Sequence, residues 1–320
     1  MTSDSPATEL APFDAVQAFQ DGHRHLFCVG ATKAGTSWLY NQLREHPECG
    51  LGWRKEVTYF EDEGSGILLQ WRTKFKEEVA ECEASLASWK SLGFSAAKRD
   101  AVAGRQARLS RALSLKYLPG TRHQDYLDFV TDDGRFAGKL TADVTPSYAR
   151  LRATTLAEMA ALGPGVRFLY ILRNPVDRAW SHVRMALSRD TEQEPTEIRA
   201  RRRFGRFLKG GFPKVHADCD YAGNLSQLVE GVPEPQRMVL YYEDLFTQEG
   251  ADRLADFLGI ARFTPEFERV VHGGTVSYKL PAKLRLRGIE MLRDQYSAME
   301  AQFGRIPEAW QRDLKLSGAG

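Results

Sequence analysis

One short stretch restricts the fold of this chain more than any other. The nine residues GATKAGTSW, residues 30–38, follow directly on the apolar run HLFCVG. The apolar run predicts a short buried strand over residues 24–30, and residues 36–45 have the apolar spacing of a helix. A glycine-rich turn between a strand and a helix favours phosphate binding, because the first N–H groups of a helix have no partner within it. The sequence therefore predicts an α/β protein with a phosphate-binding loop.

The position of the lysine separates this loop from those that bind ATP or GTP. The pattern of such loops, G-x-x-x-x-G-K-[ST], has lysine directly after the second glycine. Here Gly30 and Gly35 keep the glycine spacing, but Thr36 follows Gly35 and the lysine lies inside the loop as Lys33. This order indicates a phosphate ligand other than a nucleoside triphosphate with its Mg²⁺.

Strands and helices alternate along the rest of the chain. Strands are predicted over residues 135–145, 166–175 and 237–245, and further helices over residues 176–187, 249–258 and 284–303. Such alternation predicts a P-loop-like α/β fold, with a mostly parallel central sheet flanked by helices on both faces.

Two segments depart from this alternation. Residues 1–22 are rich in small and polar residues and in proline, and we predict a flexible leader there, followed by a single domain over residues 23–320. Residues 62–134 are charged and have a helical pattern in which Phe75, Val79 and Cys82 recur near helical spacing. This segment is predicted to be a helical insertion.

Composition and charge exclude several classes of protein. The formal net charge is only +2 over 320 residues, so no overall field favours nucleic acid or a membrane as a partner. The chain has neither a signal peptide nor an apolar run long enough to span a bilayer. Its four cysteines lack the C-x-x-C spacing of a zinc site. These features predict a cytoplasmic protein without a metal.

Several motifs together resemble one enzyme family. The loop stretch VGATKAGTSWLYNQLREHP is similar to the 5′-phosphosulfate loop of sulfotransferases that use 3′-phosphoadenosine 5′-phosphosulfate (PAPS), most of all in the bacterial and heparan-sulfate-type branch. YILRNPVDRAWSHVRM, residues 170–185, resembles the strand and helix that bind the 3′-phosphate in that family. Looser matches are ADVTPSY, RMVLYYEDL and ADFLGI, which follow in residues 142–148, 237–245 and 255–260.

The resemblance implies a donor site that needs no metal and releases 3′,5′-ADP (PAP). Lys33 would stabilise the charge that develops on the 5′-phosphate as it leaves. Arg173, at the carboxyl end of a strand, and Ser181 would bind the 3′-phosphate. A basic loop over residues 273–288 would close over that phosphate. In this loop we select Lys279, while Lys283 and Arg285 are equal alternatives. The implied donor-binding residues are Lys33, Ala34, Gly35, Thr36, Ser37, Trp38, Arg173, Ser181 and Lys279.

The acceptor side is less defined. WRKEVTYF, residues 53–60, resembles a Lys-Glu-Pro-x-Phe-Phe stretch whose glutamate takes the proton of the acceptor hydroxyl, which implies Glu56 as the catalytic base. Val57 and Tyr59 depart from that pattern, and the simpler interpretation is an exposed pair of charges, Lys55 and Glu56. Asp143 is the reserve candidate for the base.

The acceptor itself is expected to be a hydroxyl-bearing small molecule or glycan. Val144 stands where glycosaminoglycan sulfotransferases often have lysine, which weakens the case for a polyanionic glycan. The basic run in residues 198–211 could clamp an anionic acceptor, but such runs are more often solvated helix faces or loops. By its position, the insertion over residues 62–134 would form a lid on the acceptor side. The sequence leaves open a monomer or a homodimer.

Two other functions fit parts of the sequence. A P-loop kinase of small molecules would share the glycine spacing, although it would need a lysine after Gly35. A non-catalytic nucleotide-binding protein could keep the same fold, although it would have no need of Lys33 and Glu56. Binding of ATP with Mg²⁺ would support the kinase, and turnover would exclude the non-catalytic protein.

Overall fold

A computed structural model of the protein describes residues 14–52, 54–61, 66–117, 123–188, 196–268 and 278–318. Within these residues, four parallel strands form one sheet in the order β2-β1-β3-β4. The strands are β1 (His25–Gly30), β2 (Thr141–Asp143), β3 (Val166–Leu172) and β4 (Arg237–Tyr241). The predicted α/β fold with a parallel central sheet is confirmed.

Helices surround this sheet and fill most of the remaining described chain. They are α1 (Ala15–Gln20), α2 (Thr36–Glu45), α3 (Gly66–Ala87), α4 (Ala96–Tyr117), α5 (His123–Val130), α6 (Ala153–Ala160), α7 (Pro175–Ser188), α8 (Glu197–Phe207), α9 (Pro213–Cys219), α10 (Tyr221–Gly231), α11 (Tyr242–Leu245), α12 (Gln248–Leu258), α13 (Ala282–Phe303) and α14 (Glu308–Gly318). Short 3₁₀ helices lie at Pro146–Arg150 and Glu234–Gln236. None of these described helices combines the length and apolar character needed to cross a membrane.

The two central strands form the middle of the core. All residues of β1 are buried, and in β3 only Arg167 is partly exposed. Phe27 of β1 and Phe168 of β3 are register partners, and their ring centroids lie 5.3 Å apart. Strands buried on both faces have continuous apolar runs, which is why these two strands could be predicted from the sequence.

Three predicted strands are shorter than expected. The strand predicted over residues 166–175 ends at Leu172, because α7 begins at Pro175. The strand predicted over residues 135–145 is reduced to β2, because Gly134 and Gly138 take left-handed conformations, with φ of 87° and 74°, that interrupt an extended chain. The strand predicted over residues 237–245 ends at Tyr241, where the chain turns directly into α11. All three corrections shorten strands at their ends and leave the sheet order unaffected.

Part of the predicted leader is packed onto the domain. Residues 1–13 lie outside the described residues, but the segment that follows forms α1, capped by the Asp14 side chain, which accepts a hydrogen bond from Gln17 N. Phe19 is fully buried, and its ring centroid lies 5.4 Å from that of His25. The prediction of a flexible leader is therefore wrong for residues 14–22, since an aromatic side chain anchors them to the start of β1.

The insertion is helical, as its pattern predicts. Helices α3 and α4 pack against each other around a small apolar cluster, made of Phe75, Cys82, Leu109 and Ala112, that is separate from the main core. Helix α5 packs against α1 and β2. The role of this insertion as an acceptor-side lid remains a prediction.

A buried carboxylate, Asp313 of α14, fastens the C-terminal helices to the sheet edge. Only 3% of its side chain is exposed, and it accepts two hydrogen bonds from Arg285 at 2.8 and 2.9 Å. It also accepts hydrogen bonds from Asn174 Nδ2 at 2.7 Å and from the Tyr296 hydroxyl at 3.1 Å. Since Asn174 follows directly after β3 and Arg173, α14 helps to hold the end of that strand in place.

We expect Asp313→Ala to lower the free energy of unfolding by about 3 kcal/mol or more, because it removes one of the two carboxylates that bind Arg285 and the acceptor of the buried Asn174 amide. The measurement is a urea titration followed by tryptophan fluorescence. Glu308→Ala is the matched control on the same helix. The Glu308 side chain is 88% exposed and pairs only with Arg312 among the described residues, so a change within about 0.5 kcal/mol is expected. Equal effects of the two substitutions would contradict the anchoring role.

Candidate active site

The loop between β1 and α2 has the backbone geometry of an anion site. Lys33 and Gly35 take left-handed conformations, with φ of 71° and 87°, and among the described residues no side chain caps α2, which begins at Thr36. A Cβ atom at Gly35 would lie 3.2 Å from Leu245 and 3.3 Å from Tyr242, so this turn favours glycine on both conformational and steric grounds. The N–H groups of the first turn of α2 thus point to an anionic ligand as their partner.

Two of the predicted donor-binding residues support the loop by packing. Ala34 is fully buried, and its backbone N donates to Ala31 O at 3.0 Å. Trp38 is 5% exposed, donates from Nε1 to Glu266 O at 3.1 Å and packs against Phe246 with ring centroids 4.6 Å apart. These contacts fix the start of α2 against the core, so the loop is held in one conformation.

Lys55 belongs to this site, although the sequence alone did not single it out as a ligand. Its Nζ donates to Thr36 Oγ1 at 3.1 Å and to Ser37 Oγ at 3.0 Å, and only 20% of its side chain is exposed. A cation is thereby held at the first turn of α2, where the partial positive charge of the helix disfavours it. An anion bound between Lys55 and α2 would remove this repulsion, so the arrangement favours an anionic ligand.

Glu56 lies beside Lys55 at the same loop. Its Oε1 is 3.3 Å from Lys55 Nζ, and 32% of its side chain is exposed. The backbone of this segment is fastened next to the end of β2, since Val144 N donates to Lys55 O at 2.9 Å and Arg54 Nε donates to Glu56 O at 2.7 Å. Lys55 and Glu56 are therefore a half-buried pair against the loop, rather than the exposed surface pair of the simpler interpretation.

Asp143, the reserve candidate for the base, is enclosed in the protein. It has no exposed surface, and its Oδ1 accepts hydrogen bonds from Val57 N at 3.1 Å and Thr145 Oγ1 at 2.5 Å. Its Oδ2 accepts from the hydroxyls of Tyr148 at 3.0 Å and Tyr126 at 3.4 Å. Burial, and then the Asp143 charge, raise the pKa of both tyrosines well above its ordinary value. This geometry favours a structural role, in which Asp143 holds the segment that carries Glu56 against the sheet.

Arg173 connects the end of β3 to the loop. Its Nη1 donates to Lys33 O at 2.8 Å, and its guanidinium lies 4.7 Å from the ring centroid of Tyr242. Its own carbonyl accepts a hydrogen bond from the Tyr221 hydroxyl at 2.6 Å. Because β1 and β3 are adjacent parallel strands, their carboxyl ends lie side by side. Two residues predicted to bind the donor nucleotide, Lys33 and Arg173, are therefore neighbours there.

Helix α7, which carries Ser181, begins at this same edge. The side chain that caps it is Asn174, whose Oδ1 accepts from the N–H groups of Val176 and Asp177 at 3.1 Å each. Asp177, in the first turn of this helix, pairs with Arg285 at 2.7 Å. Ser181 lies four residues beyond Asp177 and therefore on the same face of the helix, with 8% of its surface exposed.

The three candidates in residues 273–288, predicted as a basic loop, differ in their surroundings, and Lys283 and Arg285 lie on α13 instead. The guanidinium of Arg285 is bound to the carboxylates of Asp177 and Asp313, so it holds α13 against α7 and α14. Lys279 and Lys283 are exposed. Lys279 is held near α7, because Trp180 Nε1 donates to the carbonyl of Tyr278 at 3.0 Å. Residues 273–277 of this loop lie outside the described residues.

The basic run in residues 198–211 falls mainly on α8. Ala200, Phe204 and Phe207 are buried, and the ring of Phe204 packs against that of Trp180 at 5.5 Å. The arginines on the opposite face that are exposed are Arg201, Arg202 and Arg206. This arrangement matches the solvated helix face that was the simpler of the two interpretations.

If Asp143 acts as a structural anchor, Asp143→Asn should lower the free energy of unfolding by about 2–4 kcal/mol, since an amide nitrogen cannot accept the buried tyrosine hydroxyls. Urea denaturation provides the measurement, and Glu56→Gln, which alters a half-exposed group, is expected to change stability by less than about 1 kcal/mol. An Asp143→Asn protein as stable as the original would argue for a free, reactive carboxylate instead.

Comparisons with known proteins agree with this geometry. Residues 25–265 match the model of a family described as the sulfotransferase family. Among solved structures, a sulfotransferase from Alicyclobacillus acidocaldarius is similar at 21% identity and a TM-score of 0.53, over 90% of this chain and 99% of that one. At this identity the likeness supports the fold alone.

Two further solved structures are more distant. The sulfotransferase domain of the Synechococcus PCC 7002 olefin synthase is 16% identical with a TM-score of 0.40, over 85% of this chain and 93% of that one. A sulfotransferase domain of the curacin biosynthetic pathway is 17% identical with a TM-score of 0.41, over 85% and 97%. No curated protein matches the sequence. The family match spans most of the chain and includes every residue of the loop and of β3, and the chain belongs to the sulfotransferase family.

Proposed function

We propose that this protein transfers a sulfuryl group from PAPS to a hydroxyl of a small-molecule or glycan acceptor and releases 3′,5′-ADP. The observation that carries this proposal is the contact between Arg173 and Lys33, in which a guanidinium from one strand end binds the backbone of an anion loop at the next. Two separate positive sites thereby share one sheet edge. A nucleotide with phosphate groups at both its 5′ and 3′ positions suits such a pair.

The loop after β1 and the residues at the end of β3 suit different parts of that donor. The N–H groups from Gly35 to Ser37, together with Lys33 and Lys55, would bind the 5′-phosphosulfate. Arg173 and Ser181 would bind the 3′-phosphate, with Lys279 closing over it from the segment held by α7. Lys55, held at the first turn of α2 by two hydroxyls, supports this fit, since an anion bound there would interact favourably with both the lysine and the helix N-terminus.

In this reaction the protein would contribute proton transfer and stabilisation of the developing charge. PAPS supplies the sulfuryl group. Glu56 would accept the proton of the acceptor hydroxyl as the new S–O bond forms. Lys33 and Lys55 would stabilise the negative charge left on the 5′-phosphate as its bond to sulfur breaks. The Lys55–Glu56 contact of 3.3 Å keeps the cation and the base next to each other, so both act on the same reacting group.

The donor assignment predicts that 3′,5′-ADP stabilises the protein against heat, whereas 5′-AMP and ATP with Mg²⁺ do so less. A ligand at about 100 times its dissociation constant adds about 2.7 kcal/mol to stability, which is measurable as a rise in melting temperature. Arg173→Ala should weaken 3′,5′-ADP binding by about 10- to 100-fold, because it removes a charged hydrogen-bond donor. Arg312→Ala, at an exposed pair on α14, is the control. A response to ATP with Mg²⁺ alone would favour a kinase.

Assigning the base to Glu56 leads to a second expectation. Glu56→Gln should reduce the release of 3′,5′-ADP from PAPS by about 10²- to 10⁴-fold, with a hydroxyl acceptor found first by screening the unaltered enzyme. Its affinity for 3′,5′-ADP should stay the same, since the base does not hold the nucleotide. Glu249→Gln, at an exposed position of α12, should keep full activity. A Glu56→Gln enzyme with undiminished turnover would exclude Glu56 as the base.

A further inference from the structure

Arg184 lies on the face of α7 that carries Ser181. Asp177, Ser181 and Arg184 are spaced i, i+4 and i+7 along the helix, so their side chains emerge from one face. Arg184 is half-buried, and its guanidinium lies 5.9 Å from the ring centroid of Trp180. Its Nε is buried and has no hydrogen-bond partner among the described residues. A buried donor on a charged group normally has an acceptor, so this nitrogen points to a ligand.

The charges around Arg184 also point to an anion. Burial, and then the positive charge of Arg173, lower the pKa of Arg184 below its ordinary value, while Asp177 acts in the opposite direction. Asp177 cannot neutralise both arginines, because its carboxylate is bound to Arg285 at 2.7 Å. The positive charge of Arg173 thus acts on Arg184, and the carboxylate of Asp177 is already bound to a third arginine, Arg285. A bound dianion would stabilise all of these positive charges.

Further positively charged residues lie on the elements next to α7. Trp180, one turn before Arg184, donates its indole N–H to the carbonyl of Tyr278, which brings the exposed Lys279 close to α7. Arg173 approaches from the end of β3, where its Nη1 is already bound to the loop. Positively charged residues are thus present at the strand end, on α7 itself and in the C-terminal segment that α7 holds.

We infer that Arg184 binds the 3′-phosphate of the donor nucleotide together with Arg173 and Ser181, and that it determines the preference for a nucleotide with that phosphate. The inference rests on the proposed PAPS donor and adds a residue that the sequence motifs did not indicate. Two guanidinium groups match the charge of a phosphate monoester, which is close to −2 at neutral pH. A nucleotide with a free 3′-hydroxyl would leave both arginines without a counter-charge, so the protein would bind it weakly.

The test compares two nucleotides that differ only in the 3′-phosphate, 3′,5′-ADP and 5′-AMP, by isothermal titration calorimetry on the full chain. The unaltered protein should bind 3′,5′-ADP more tightly. Arg184→Gln should weaken 3′,5′-ADP binding by about 10- to 100-fold and change 5′-AMP binding by less than about twofold. Arg184→Lys keeps the charge but loses the bidentate geometry, so its loss should be intermediate. The control is Arg201→Gln, an arginine on α8 that is paired with Glu197 in solvent, and it should leave both affinities unchanged.

The outcomes separate this inference from the proposed function. If the unaltered protein does not prefer 3′,5′-ADP, the PAPS donor itself is wrong. If the unaltered protein prefers 3′,5′-ADP and Arg184→Gln keeps that preference, the donor stands and the role of Arg184 is overturned. Equal losses for both nucleotides would also overturn it, because they would indicate general damage to the site. Should Arg184→Gln fail to fold, Arg184→Lys decides the question, since an unchanged preference in that variant contradicts the inference.

Discussion

The rest of the structure depends on one property of the parallel sheet: the carboxyl ends of adjacent strands lie at the same edge. The polar groups of the segments that follow these strands therefore need hydrogen-bond partners at that edge. Two buried carboxylates meet this need. Asp143 holds the segment before the insertion against β2, and Asp313 holds the chain after β3 through Asn174. With the backbone thus fixed, the guanidinium of Arg173 donates to the backbone of the loop at this edge.

The electrostatics of the site follow from that arrangement. Lys55 lies at the first turn of α2 and Arg173 lies beside Lys33, so positive groups gather where a helix already contributes a partial positive charge. Structural cations elsewhere in the chain are paired with carboxylates, as Arg285 is with Asp177 and Asp313. Lys55 is paired as well, with Glu56 at 3.3 Å, so it is the position of Lys55 at the first turn of a helix that supports a function in handling an anionic donor.

Local features of the fold could be predicted, and long-range ones could not. Helix α2 begins and ends at the predicted residues, because Gly35 and the His46-Pro47 pair determine its limits from within the segment. Arg173 could be placed at the sheet edge because it follows an unmistakable buried strand. The role of Lys55 depends on contacts with residues 18 and 19 positions away, and that of Asp143 on hydrogen bonds that span up to 86 positions, which no local pattern encodes. The leader was mispredicted for a similar reason, since only tertiary packing shows that Phe19 is buried.

The hydrogen bond between Asn174 and Asp313 joins residues 139 positions apart and has a thermodynamic consequence. Asn174 caps α7, so undocking of α14 would remove the support of that cap and loosen the helix face that carries Ser181. Linkage is reciprocal: an anion that binds better when α7 is held in place must stabilise the docking of α14 by the same free energy that docking adds to its binding. If the proposed donor binds to this face of α7, the C-terminal helix and the donor would act as positive effectors of each other without touching.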